Sequence, residues 1–168
     1  MGRYRPPPAP KSPYITRSGF QALQAEQQAL WVKRREVVAH LAAAAAEGDR
    51  SENAEYIYRK KQLREMDRRI RYLQKRLPHL KVVDLVPDEA DKVFFGAWVT
   101  LTDAAGEERR YRIVGADEFD PAQNWISIDS PMARALLRRS IDERIRVELP
   151  NGRAEFEIVA VEYRAEPG

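Results

Sequence analysis

From Phe20 onward, apolar residues recur at helical spacing. Phe20, Leu23, Leu30, Val37 and Leu41 fall on two seven-residue tracks; Ala44 continues one of them, and Gln27 and Arg34 interrupt the other. Trp31, Val38 and Ala45 widen the stripe, as a 3.6-residue period requires. Thr16 is placed to cap this helix. Leu41–Ala46 has a composition of high helix propensity, and Gly48 interrupts it. A second pattern follows, with Tyr56, Leu63, Ile70 and Leu77 on one heptad track, Met66 and Leu73 on the other, and Pro78 as its stop. Two such helices joined by a few residues predict an antiparallel hairpin with arms of roughly 45 and 38 Å. A buried pair of bundle helices would share the pattern. The heavily charged outer faces, and the lack of a third such helix, favour a projecting arm whose tip lies near residues 47 to 53.

Beyond Pro78 the period becomes two. Candidate strands are Lys81–Val86, Phe94–Thr102, Arg109–Val114, Trp125–Asp129, Arg144–Leu149 and Ala154–Tyr163. Ala105-Gly106 and Asn151-Gly152 are turn signals. One short helix interrupts the strands, with Ser130 as N-cap, Pro131 at its first position and MARALLRR following. The fold class is therefore α+β: an N-terminal antiparallel coiled-coil hairpin over residues 14–78 and a small α+β domain over 79–168. Residues 1–13 carry five prolines and no periodicity, and read as a disordered or polyproline-like tail.

Charge adds an asymmetry. Residues 1–77 hold 17 Lys+Arg against 8 Asp+Glu, and residues 78–168 hold 12 against 18, so a net +9 meets a net −6. A basic half joined to an acidic half suggests that one end meets a polyanion. The basic half lacks a strong lipid-facing stripe, so no membrane partner is expected. The chain has no cysteine, which excludes disulfides and thiolate metal sites and favours a cytoplasmic location. No apolar run approaches membrane-spanning length, and MGRYRPPPAPKSP lacks the apolar core of a secretory signal.

Self-contained catalysis finds no support in the inventory. His40 and His79 have no partners at ligand spacing, and no nucleophile–base set, P-loop or dinucleotide fingerprint is present. The informative segment is GDRSENAEY, Gly48 to Tyr56, which sets Asp49 and Glu52 three residues apart at the hairpin tip. One explanation is a capping box, with Asp49 as N-cap and both charges at the positive end of the helix dipole. The other is metal chemistry. Two carboxylates are suitable oxygen ligands for Mg²⁺ but cannot enclose it, so they would complete a site that another protein begins. Lys61, Arg64, Arg68, Arg71 and Lys75 recur at spacings of three and four and share one face of the second helix. Between residues 55 and 77 there are nine basic and three acidic residues, a sign bias that suits a nucleic-acid backbone better than a merely solvated face.

These residues resemble a known family. GDRSENAEY is similar to the tip motif of the Gre transcript-cleavage factors, with Arg50 resembling the GreB branch. The likeness continues through RKKQLREMDRRIRYL, KVFFGAWV, RYRIVG and ISIDSPMARALL, and spans about residues 14 to 164. The resemblance implies that the hairpin enters the secondary channel of a backtracked bacterial RNA polymerase. Asp49 and Glu52 would act as the catalytic and metal-holding tip residues. They would help bind an Mg²⁺ shared with the polymerase active centre and orient the attacking water, and the polymerase would hydrolyse its own transcript. The factor would not itself be an enzyme. By the same resemblance the basic row contacts the nascent RNA 3′ segment, the C-terminal domain is FKBP-like, Asp129, Ser130 and Pro131 dock at the channel rim, and the factor acts as a monomer.

Other classes share parts of this pattern. A channel-occupying inhibitor would need the fold without the cleavage, although both tip carboxylates are present. An RNA-binding module would predict salt-sensitive RNA binding without polymerase. Prolyl isomerase activity has only the fold of the C-terminal half behind it.

Overall fold

The computed structural model describes residue 4 and residues 6–47 and 53–164. Asp49 and Glu52 lie outside the described residues. The chain forms two compact units, one comprising residues 1–19 and 81–168 and the other residues 20–80.

In the helical unit, α1 (Arg17–Ala46) and α2 (Ala54–Arg76) are the two predicted helices. Their buried residues are Leu23, Val37 and Ala44 on α1 and Met66, Ile70 and Leu73 on α2, all drawn from the two heptad tracks. Trp31 and Val38, at the edge of the stripe, remain 41% and 39% exposed. Cross-helix bonds fix the direction of the pair. Glu26 pairs with Arg69, Arg34 with Asp67, and the Ala44 carbonyl with Asn53. Partner numbers fall as α1 advances, so the helices run antiparallel. Pro78 stops α2, and Leu77–His79 form a 3₁₀ turn.

The other unit is built on a five-stranded sheet. Its strands are β3 (Trp98–Asp103), β4 (Glu108–Val114), β5 (Trp125–Ser127), β6 (Arg144–Leu149) and β7 (Gly152–Glu162), in the order β5-β4-β3-β7-β6. All neighbours are antiparallel except β4 and β5. Alternation decides which side chains turn inward: Val99 and Leu101, Ile145 and Val147, Phe156 and Ile158 are buried. A register shift at Thr100/Leu101 leaves Val159 of β7 37% exposed. The short helix α3 (Pro131–Leu136) contributes Met132, Ala133 and Leu136 to this core. The α+β class holds, with smaller departures. The strand expected over Lys81–Val86 is only β2 (Lys81–Val82), and it pairs in parallel with β1 (Tyr14–Ile15). At the β6–β7 hairpin, Leu149 pairs with Gly152, so Pro150 and Asn151 occupy the turn, and Gly152, at φ 119°, begins the next strand.

The N-terminal boundary also differs from the one periodicity suggests. Residues 11–16 are bonded into the sheet unit. The Ser12 amide and hydroxyl donate to Asp129, Lys11 lies 3.9 Å from Asp117, and Lys81 N–H donates to the Pro13 carbonyl. Residues 6–10 are exposed. A proline-rich composition predicts a free tail only as far as no partner satisfies its backbone; here groups distant in sequence do so from Ser12 onward, Asp129 at a separation of 117 residues.

Candidate functional site

At the tip, Asn53 is the N-cap of α2, with its Oδ1 accepting from Tyr56 N–H at 3.2 Å. The described N-cap is thus Asn53, whereas Asp49 and Glu52, where a capping box is expected, lie outside the described residues. The Asn53 Nδ2 also donates to the Ala44 carbonyl at 2.9 Å, in the last turn of α1. One amide thus satisfies an orphan donor at the start of α2 and adds a second bond to the Ala44 carbonyl, which also accepts from Glu47 N–H at 3.3 Å. An aspartate at the same position could do only the first, because a carboxylate has no proton to donate. Among the described residues, no three His, Asp or Glu side chains gather to hold a metal ion.

Lys61, Arg64, Arg68, Arg71 and Lys75 are all exposed along α2. Their neighbours on the same helix behave differently. Arg59 pairs with Glu55 at 2.9 Å, and Arg69 pairs with Glu26 through two bonds of 2.7 and 2.9 Å. None of the five row residues has an ion-pair partner among the described residues. Arg71 bonds only the Asp67 backbone carbonyl, at 3.4 Å. The row is thus a line of uncompensated charge beside cations that are locally neutralised. Beside it, Arg34 and Asp67 join the two helices at 2.7 Å, and this hydrogen bond, followed by charge attraction, raises the Arg34 pKa.

In the sheet unit, Ser130 and Pro131 take the predicted roles. Ser130 Oγ accepts from Ala133 N–H at 3.2 Å, and Pro131 stands exposed at the first position of α3. Asp129 has an unexpected partner in Ser12, whose N–H donates at 2.9 Å and whose hydroxyl donates to the other carboxylate oxygen. Next to this motif is an apolar groove of about 450 Å³, lined by Phe119, Trp125 and Ile126 among others. Glu118 closes the start of α1 in a similar manner. Its carboxylate accepts from Thr16 N–H at 2.8 Å, from the Thr16 hydroxyl and from Gly115 N–H at 2.9 Å. A Cβ at Gly115 would lie 2.2 Å from the Tyr14 carbonyl, so this approach requires glycine. Thr16 Oγ1 caps α1 by accepting from Gly19 N–H at 3.1 Å.

Both halves of the chain match models of one family. Residues 13–82 match the N-terminal domain of transcription elongation factors, and residues 87–163 match the GreA/GreB C-terminal domain. The chain belongs to the GreA/GreB transcription elongation factor family. It is 58% identical over 165 residues to the transcription elongation factor GreB of Xanthomonas axonopodis pv. citri, covering 97% of this chain and 98% of that one. It is 62% identical over 143 residues to the GreB of Pasteurella multocida, covering 84% and 90%. These relatives place it in the GreB branch of the Gre family. Among solved structures, it is similar to the GreA factor homolog 1 of Thermus thermophilus at 22% identity, with a TM-score of 0.40 over 89% of this chain and 97% of that one.

For a Gre factor read from sequence, the missed residues are of two kinds, one local and one long-range. Asn53 lies inside GDRSENAEY, and its spacing to Tyr56 is a cap signal equal to that of Asp49 with Glu52. Ser12 and Glu118 act over separations of 117 and 102 residues, which no local pattern signals.

Proposed function

We propose that this Gre factor acts on bacterial RNA polymerase by presenting its helical hairpin to the secondary channel and stimulating the polymerase's own cleavage of backtracked RNA. It rescues arrested complexes without being a nuclease itself. The observation that carries this reading is the match of both halves of the chain to the GreA/GreB family, with Asp49 and Glu52 standing in the tip motif GDRSENAEY. Two carboxylates suit Mg²⁺, which takes one or two protein oxygens and keeps waters. When bound between factor and polymerase, the ion would supply charge neutralisation and an activated water. Asp49 and Glu52 would hold it and accept hydrogen bonds from that water.

In the same reading, the uncompensated row Lys61, Arg64, Arg68, Arg71 and Lys75 follows the extruded RNA 3′ segment. Ser130 and Pro131, with Asp129 held by Ser12, form the rim contact. The test is to add the purified protein to stalled elongation complexes carrying end-labelled RNA. Shortened RNA that remains extendable is expected, and free RNA alone should stay intact. Occupancy of the polymerase without any shortening would instead make the protein a channel inhibitor. Cleavage of free RNA that survives Asp49→Ala would overturn the helper role.

A further inference from the structure

We propose that the open groove on the helical unit between Trp31 and Arg71 is a stacking site for one base of single-stranded nucleic acid. The proposal rests on the basic row being an RNA-binding face and adds a base-recognising element to it. The groove has a volume of about 500 Å³ and is lined by Trp31, Arg34, Asp67, Ile70, Arg71 and Gln74. Each lining residue has a distinct part. Trp31 leaves 41% of its surface open, whereas Ile70 beside it is 3% exposed and forms an apolar floor. The Arg34 guanidinium lies 6.0 Å from the indole centroid and is held there by Asp67 at 2.7 Å. That pair neutralises the one acidic group in the groove, so Arg34 and Arg71 against Asp67 leave one net positive charge. Gln74 brings an amide able both to donate and to accept.

A flat aromatic face, a polar amide and an uncompensated cation match the three parts of a nucleotide: base face, base edge and phosphate. Single strands expose base faces, and protein aromatics take them by stacking with little regard to sequence. Arg71 also belongs to the row with Lys61, Arg64, Arg68 and Lys75, so a backbone following the row brings its bases to the Trp31 face. A protein helix would instead need a longer apolar stripe than the groove's lining offers, where Trp31 is the exposed apolar side chain among charged and polar neighbours.

The test titrates the full chain with two labelled strands of about eight nucleotides, within the usual range for single-strand sites. One is an oligoadenylate and the other an abasic phosphodiester of the same length. Binding is read by anisotropy at several salt concentrations. Wild type should prefer the base-bearing strand by about 5- to 150-fold, the range corresponding to one stacked base. Trp31→Ala should abolish that preference without changing the salt slope, and Trp31→Phe should keep most of it. The triple change of Arg64, Arg68 and Arg71 to Ala should lower the slope by about 0.7 per lost contact for both strands. If wild type does not discriminate the strands or binds neither, or if Trp31→Ala weakens both equally or neither, the stacking site is overturned. An unchanged slope in the triple variant would remove the row reading while leaving a lost base preference in Trp31→Ala standing. Weaker polymerase binding by Trp31→Ala, with RNA binding intact, would turn the groove into a protein contact and overturn the proposal.

Discussion

Replacing Asn53 and Asp49 separately should split stability from activity at the hairpin tip. Asn53→Ala removes an N-cap, which costs about 0.5–2 kcal/mol. It also removes the bond from Nδ2 to the Ala44 carbonyl, which adds about 0.5–1.5 kcal/mol. Both bonds are only partly buried, so a sum of about 1–2 kcal/mol is expected. For a unit the size of residues 20–80, that corresponds to a fall in Tm of roughly 5–15 °C if the unit melts cooperatively. Local opening would appear first as faster hydrogen exchange at Tyr56 N–H, the capped amide. Asn53→Asp retains the acceptor for Tyr56 and loses the donor, so it should fall between the two. Asp49→Asn should leave Tm and Tyr56 exchange near wild type, because Asn53 caps the described start of α2 and Asn at position 49 keeps any capping oxygen that Asp offers. It should nevertheless lower stimulated cleavage by roughly 10²-fold or more at saturating factor, about 2.7 kcal/mol of barrier. Glu52→Gln should behave like Asp49→Asn. The assays are thermal unfolding by circular dichroism, amide exchange, polymerase binding and cleavage rate on a backtracked complex. A loss of Tm in Asp49→Ala, which unlike Asp49→Asn removes any capping oxygen, equal to that in Asn53→Ala would return Asp49 to the role of helix cap. Full cleavage by a folded, polymerase-bound Asp49→Asn would refute the metal role.

Three further outcomes are expected. Changing Arg64, Arg68 and Arg71 to Ala should impair cleavage of long extruded RNA more than short; equal rates on both, at several salt concentrations, would reduce the row to a solvated face. Pro131→Ala, Asp129→Ala and Ser12→Ala should each weaken polymerase binding in a competition assay, Ser12→Ala acting by releasing the Asp129 carboxylate; a Ser12→Ala protein that binds like wild type while Asp129→Ala does not would show that the bond does not position the aspartate. Tyr163 accepts from Phe94 N–H and donates to the Lys92 carbonyl, and burial raises its pKa above the usual 10. Its contribution is complete below about pH 10 and is lost as pH rises through the folded-state pKa, so the stability gap between wild type and Tyr163→Phe should close in alkaline buffer; a gap that is constant from pH 8 to about 11 would refute the assignment.

Periodicity alone determined much of this protein. The heptad tracks marked the buried faces of α1 and α2, Ser130-Pro131 marked the start of α3, and Arg144–Leu149 marked β6 residue for residue. These features are local: a side chain's face follows from its place in a 3.6- or two-residue period, and a cap from the next three residues. The basic row was legible for the same reason, as spacing on one helix face. Only the tertiary structure decided which of its neighbours are neutralised, because Glu26 reaches Arg69 from the other helix. It also tied Asn53, the described cap of α2, to the Ala44 carbonyl of α1, a bond between two helices that no local rule signals. Residues 11–16 are the extreme case. The composition of residues 1–13 reads as a tail and Thr16 as a helix cap, yet Ser12 finds Asp129 and Thr16 finds Glu118 across more than a hundred residues. Such bonds depend on where the chain returns in space, and no short window of sequence contains both partners.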